Sequence, residues 1–190
     1  KTKIELKTRD GFIIVALFWV ALCVFATIPL YLSIVPHLSI TNAFFETVSG
    51  LTTTGATIFT HINHLPHAIL YYRQQMELLG GIGIVVLAVA VLPMLGLGGM
   101  QLYRAEIAGP LKNNKLTPRI AQTAKALWLI YVSMTILCAF SYWLAGMPLF
   151  DAIGESFSTV STGGFSVHDE SFAFYQSREI NIIAMVFMLL

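Results

Sequence analysis

Ala43-Phe44-Phe45-Glu46-Thr47-Val48-Ser49-Gly50-Leu51-Thr52-Thr53-Thr54-Gly55-Ala56-Thr57 returns 109 residues later as Ala152-Ile153-Gly154-Glu155-Ser156-Phe157-Ser158-Thr159-Val160-Ser161-Thr162-Gly163-Gly164-Phe165-Ser166. The copies are identical at Ala43/Ala152, Glu46/Glu155, Ser49/Ser158, Thr53/Thr162 and Gly55/Gly164. Thr47/Ser156, Thr52/Ser161 and Thr57/Ser166 exchange only Thr for Ser. Each copy follows a long uncharged apolar span, runs as a short, half-polar, helix-compatible segment, and stops at a hydroxyl-rich turn containing glycine. Such a segment is too short to cross a hydrocarbon core of about 30 Å, which takes about 20 helical residues. Both are therefore expected to be re-entrant. Non-helical backbone at membrane depth is tolerated only where protein buries it or water lines it.

The rest of the 190-residue chain supports a membrane setting. Charged residues make up 11% and hydrophobic ones 56%, too few charges to clothe a water-soluble domain of this size. No charge interrupts Gly11 to Val35, Leu78 to Tyr103 or Ala126 to Phe150, and Ile180 to Leu190 opens a fourth apolar span. Cys23 and Cys138 both sit inside apolar spans and read as small buried packers, not a disulfide framework. The chain starts Lys1-Thr2-Lys3, with no initiator Met and no signal-peptide pattern, and ends inside an apolar run, so a fragment of a longer protein is expected.

Basic residues divide sharply between the two sides. Lys1, Lys3, Lys7 and Arg9 flank the first span, and Arg104, Lys112, Lys115, Arg119 and Lys125 fill the 101–125 segment. Only Arg73 lies in 46–77, and only Arg178 in 151–179. By the positive-inside rule the N-terminus and the 101–125 loop are cytoplasmic, and both Thr/Gly turns open to the outside. Trp19, Tyr31, Tyr71, Tyr72, Tyr103, Trp128 and Trp143 fall near span ends, as interfacial aromatics do. Gly80-Gly81-Ile82-Gly83 and Gly96-Leu97-Gly98-Gly99 follow no strand and read as close helix packing rather than a phosphate cradle.

The turns have the chemistry of a cation filter. Glycine permits positive φ, which aims successive carbonyls at one axis. The short helix before each turn ends with its partially negative pole nearby, which favours a cation. A ring of carbonyl and hydroxyl oxygens replaces the hydration shell of a weakly hydrated cation such as potassium. Thr41 and Asn42 are the expected helix caps.

The order of span, re-entrant helix, Thr-x-Gly turn and span, given twice, resembles the Trk/Ktr/HKT superfamily of potassium transporters, and within it the TrkH subfamily. The likeness rests on Ser49-Gly50-Leu51-Thr52-Thr53-Thr54-Gly55-Ala56-Thr57, Leu79-Gly80-Gly81, Leu92-Pro93-Met94-Leu95, Met100-Gln101-Leu102-Tyr103-Arg104-Ala105-Glu106, Lys115-Leu116-Thr117-Pro118-Arg119-Ile120, Ser158-Thr159-Val160 and Gly163-Gly164-Phe165-Ser166. It implies an all-α membrane protein of tandem M1–pore helix–M2 repeats with re-entrant pore loops. The first repeat would occupy 1–103, with M1 about 11–35, pore helix about 42–52, filter 53–57 and M2 about 78–103. A cytoplasmic connecting segment, 104–125, would follow, and then a second repeat, 126–190, truncated in its M2. The family's full subunit has four repeats around one pseudo-fourfold pore and pairs as a homodimer.

The resemblance further implies potassium uptake across a bacterial inner membrane, and a cytoplasmic nucleotide-binding regulatory ring as partner. Carried over by position, Thr53, Thr54, Gly55, Thr162, Gly163 and Gly164 would offer carbonyls to K+, with no organic cofactor. Glycine at 55 and 164, where serine accompanies sodium transport in the superfamily, implies potassium selectivity. Near Glu77-Leu78 the family usually has a Gln-Trp pair, so this chain departs there. The alternative is a non-conducting half-channel or scaffold that needs further repeats or a partner chain.

Other residues carry plainer expectations. His61, His64 and His67 are spaced by three but lie in a loop with Pro66 and no nearby Cys or acid, which reads as a solvated loop. Glu46 and Glu155 are matched intramembrane carboxylates, functional candidates by default but expected here to accept structural hydrogen bonds. Asp169, Glu170 and Glu179 would raise cation concentration at the mouth or simply be solvated. No nucleophile–base set or dinucleotide fingerprint supports an enzyme, and no nucleic-acid partner is indicated.

Overall fold

A computed structural model describes residues 8–95 and 116–190, in which every regular element is helical. The first repeat contributes α1 (Thr8–Leu32), α2 (Ile40–Leu51), a 3-10 turn (Ile62–His64) and α3 (His67–Leu95). The second contributes α4 (Leu116–Leu144), α5 (Leu149–Ser161), a 3-10 turn (Ser171–Tyr175) and α6 (Arg178–Leu189). At about 1.5 Å per residue, the 25 residues of α1 and the 29 of α4 are long enough to cross a bilayer. The 12 residues of α2 and 13 of α5 are not. Within α1 and α4, Val15–Leu32 and Gln122–Leu144 have mean hydropathies of 2.3 and 1.7.

The burial pattern is inverted relative to a soluble protein. Leu17, Phe18 and Phe25 on α1 and Ile136, Leu137 and Phe140 on α4 are exposed. The interior holds, beside apolar side chains such as Leu30, Leu51 and Tyr142, the polar Glu46, Thr47, Arg73, Gln74, Glu77, Glu155, Ser156 and Thr159. Apolar side chains turned outward and ionisable ones turned inward and paired are what a lipid solvent selects.

The third helix is the shared element. It packs on α1 and α2 of its own repeat and on α4 and α5 of the second. Small residues permit this: a Cβ on Gly80 would strike the Leu51 carbonyl, one on Gly81 the Tyr131 hydroxyl, and one on Gly83 the Trp19 ring at 2.9 Å. Trp19 therefore packs between helices. Tyr72 also turns inward, donating to the Ala26 carbonyl of α1 at 2.7 Å, and Tyr131 of α4 donates to the Leu78 carbonyl of α3 at 3.3 Å.

Several boundaries differ from expectation. The first span ends at Leu32, short of 35. The helix expected from 78 already begins at His67, because Arg73 and Glu77 are buried with partners and do not interrupt it. Ser39, not Thr41 or Asn42, caps α2, its hydroxyl accepting the Asn42 N–H at 3.3 Å. Glycines 96, 98 and 99, the expected end of M2 at 103 and the 104–115 part of the connecting segment lie outside the described residues.

Candidate ion site

The two repeated segments fold into matching helix–turn units that share their turn-closing backbone bonds, although the Gly164 N–H donates to the Ser158 hydroxyl at 2.8 Å and the equivalent Ser49 hydroxyl makes no such bond. In the first, the Thr53 N–H reaches the Gly50 carbonyl at 3.0 Å and the Thr54 N–H the Ser49 carbonyl at 2.9 Å. In the second, the Thr162 N–H reaches the Thr159 carbonyl at 3.1 Å and the Gly163 N–H the Ser158 carbonyl at 2.8 Å. Thr53 and Thr162 both take left-handed backbone, φ 53° and 51°, and Gly55 and Gly164 both have positive φ, 73° and 111°. Threonine at positive φ is costly and persists only where its surroundings hold it. Both copies paying that cost at the same position marks the turn as a built feature.

The units meet at their glycines. A Cβ on Gly55 would strike the Gly163 carbonyl oxygen, and one on Gly164 would come within 3.7 Å of the Gly55 Cα. Gly55, Gly163 and Gly164 thus meet where the two repeats touch, and Thr53, Thr54 and Thr162 lie beside them in the same two turns. The C-terminal ends of α2 and α5 lead directly into this place and direct partial negative charge toward it.

Behind each turn the matched glutamate clamps the outgoing strand. Glu46 accepts the Thr57 hydroxyl at 2.8 Å and the Ile58 N–H at 3.0 Å. Glu155 accepts the Ser166 hydroxyl at 2.6 Å and the Val167 N–H at 2.9 Å. Each pair joins a short helix to the strand leaving its turn, so both carboxylates are structural. The hydroxyl repeated at Thr57/Ser166 also accepts the N–H two residues on, from Phe59 at 3.1 Å and His168 at 3.2 Å.

The supports of the two units then diverge. Arg73 of α3, fully buried, donates from Nε to Glu46 at 2.8 Å, from Nη2 to the Thr57 hydroxyl at 3.0 Å and from Nη1 to the Ser166 carbonyl at 3.3 Å. Its guanidinium lies 4.3 Å from the Phe165 ring centroid and 5.1 Å from that of Phe59. Gln74 donates to the Phe165 carbonyl at 3.0 Å, and Glu77 accepts the Phe165 N–H at 2.9 Å. Phe165 is consequently buried, whereas its counterpart Ala56 is exposed. Sequence reasoning counted Arg73 only as a loop charge. The available signal was three polar residues, 73, 74 and 77, on one helical face just before an uncharged span.

Beyond the turns, the connecting loops tie the repeats together. Asp169 accepts the Ile62 N–H at 2.8 Å and the Asn63 N–H at 3.3 Å, so an acid does approach the histidine-rich loop, as a cap for its 3-10 turn. The His168 ring bridges Asn63 (Nδ1 to Oδ1, 3.0 Å) and Asp151 (Nε2 to Oδ2, 2.8 Å) and stacks on Phe174 at 3.6 Å between centroids. Among the described residues no group of three or more His, Cys, Asp and Glu gathers as metal ligands.

With this geometry in view, comparison with known proteins is specific. The family model TrkH, cation transport protein, matches residues 1–190. The Trk system potassium uptake protein TrkH of Salmonella typhimurium is 59% identical over 190 residues, all of this chain and 39% of that protein. TrkG of Escherichia coli K12 is 50% identical with the same coverage, and TrkI of Halomonas elongata is 42% identical over 92% of this chain and 35% of its own length. Among solved structures, the crystal structure of the potassium transporter TrkH from Vibrio parahaemolyticus matches with a TM-score of 0.84 and 52% identity, over all of this chain and 37% of that one. The chain thus spans about two-fifths of the length of these relatives.

Proposed function

Because the chain belongs to the TrkH family of cation transport proteins, we propose that it supplies the first two of four pore-forming repeats of a potassium uptake protein in a bacterial inner membrane. The observation that carries this reading is the pair of matching turns meeting at Gly55 and Gly163. Carbonyls of Thr53, Thr54, Gly55, Thr162, Gly163 and Gly164 supply half of a ring that replaces the hydration shell of K+, the cargo. The first repeat runs to about residue 103 and the second starts at about 126, within α4, with the cytoplasmic connection 104–125 between them. The N-terminus lies on the same side.

The exposed back of Ala56 supports further repeats. Phe165, in the equivalent place, is covered by α3 of the preceding repeat. A corresponding helix from a repeat beyond this chain would cover Ala56 in the same way. Assembly as a homodimer on a cytoplasmic nucleotide-binding ring completes the proposal, with no catalytic chemistry in the chain itself.

The test is potassium-limited growth of an uptake-deficient bacterial strain carrying the full-length protein, with Gly55→Ser beside it. Rescue by the parent, and a lower ratio of potassium to sodium uptake in the variant, are expected. A correctly inserted parent that fails to rescue favours the scaffold alternative, and an unchanged ratio in Gly55→Ser removes the filter assignment.

A further inference from the structure

Both backbone groups of Phe165, immediately after the second turn, are held by side chains one helical turn apart on α3 of the other repeat. Gln74 donates to the Phe165 carbonyl at 3.0 Å and Glu77 accepts its N–H at 2.9 Å. Both side chains are fully buried. Two residues earlier, a Cβ added to Gly163 would strike the Glu77 carboxylate. The carboxylate therefore lies directly against filter backbone, with no slack between them. Arg73 adds a third grip, on the Ser166 carbonyl at 3.3 Å. No such grip exists on the first turn among the described residues, where Ala56 is exposed.

We infer that Glu77, together with Gln74, is a positioning residue for ion selectivity: α3 of the first repeat clips the backbone on both sides of Phe165 and thereby sets the carbonyl spacing of Thr162, Gly163 and Gly164 in the second. This deepens the filter reading and rests on it. Discrimination between two cations of one charge depends on how the coordinating oxygens are spaced and how firmly they are held. A residue held at both its N–H and its C=O has the peptide planes on either side of it fixed, so the residues just before it inherit that constraint. Acceptance of the N–H requires an oxygen at the end of the 77 side chain, and contact with Gly163 requires its volume. Glutamine satisfies both and leucine only the second.

The experiment measures the ratio of potassium to sodium uptake by the full-length protein in Glu77→Leu, Glu77→Gln, Gln74→Met and, as a reference for the filter itself, Gly164→Ser. A buried backbone N–H left without its acceptor corresponds to about a tenfold change, so Glu77→Leu is expected to lower the ratio about tenfold. Loss of the neutral bond in Gln74→Met lowers it about threefold, and Glu77→Gln stays within about twofold of the parent. Rescue by glutamine separates positioning from mere packing, which leucine preserves. If Gly164→Ser shifts the ratio and Glu77→Leu leaves it within about twofold, the clip is overturned while the filter stands. If Gly164→Ser also leaves it unchanged, the filter reading itself fails. Should Glu77→Leu not insert, Gln74→Met decides, an unchanged ratio there overturning the inference.

Discussion

Replacing Arg73 by methionine tests the most heavily connected side chain in the structure. Methionine keeps much of the aliphatic volume and removes the charge. What is lost is the 2.8 Å bond to Glu46, the donations to Thr57 and Ser166, and the guanidinium between the Phe59 and Phe165 rings. Glu46 would keep two donors, the Thr57 hydroxyl and the Ile58 N–H, but no cation, in a fully buried place. Removing one partner of such a pair costs about 3–5 kcal/mol, most of it from the charge left behind. The double variant Arg73→Met with Glu46→Gln removes both charges of the pair, and glutamine's single carbonyl oxygen still accepts the Ile58 N–H while its amide NH2 donates to the Thr57 hydroxyl. Its loss should therefore fall below the sum of the single losses, with a coupling of about 2–3 kcal/mol. Reversible unfolding of the full-length protein in mixed detergent micelles, run as a double-mutant cycle, reads these numbers. An Arg73→Met loss under about 1 kcal/mol, or two single losses that simply add, would refute the view that a desolvated ion pair couples α3 to α2.

Two further outcomes follow from other contacts. Gly81→Ala should destabilise by about 1–3 kcal/mol because its new methyl meets the Tyr131 hydroxyl, and adding Tyr131→Phe should recover part of the loss; the obstacle at Gly80 is the Leu51 backbone, so Gly80→Ala gains nothing from that second change. Asp169 is held below the ordinary carboxylate value of 3.8 by the Ile62 N–H first, then by the Asn63 N–H and the nearby His61 and His64. A depressed folded value means its contribution is present above the ordinary value and is lost as pH falls through the depressed one. Hydrogen exchange at Ile62 and Asn63 should accordingly be slower than in Asp169→Asn at pH 6, with the difference shrinking as falling pH protonates the carboxylate; a difference that does not shrink with acidification would contradict the cap.

The helix–turn pairing was legible because it is local chemistry written twice. Glu46 and Glu155 sit at one register, Thr53 and Thr162 at another, and each unit closes its turn with its own backbone. The matched carboxylates could be read as structural for the same reason, since their partners Thr57 and Ser166 lie in the repeated stretch. Where a choice depended on neighbours, sequence gave less. Ser39, Thr41 and Asn42 are all good caps, and nothing local selects Ser39. Charge counting placed the third helix too late because it treats Arg73 and Glu77 as loop residues, and only the fold supplies the partners that let them enter a buried helix.

The deepest omission concerns the asymmetry between the copies. Arg73 pairs with Glu46 and leaves Glu155 without a cation, although the two glutamates are indistinguishable in their own segments. Likewise Phe165 is held on both sides while Ala56 is open, although both follow a positive-φ glycine. These differences arise because α3 meets the two copies with different side chains, Arg73 on Glu46 and Thr57 of the first and Gln74 and Glu77 on Phe165 of the second, and a repeat pattern cannot reveal which neighbour meets which copy. The same duplicated segment is therefore placed in two unequal surroundings. The Phe165 backbone is held by α3, and the further repeat proposed above would supply the helix that holds the backbone at Ala56.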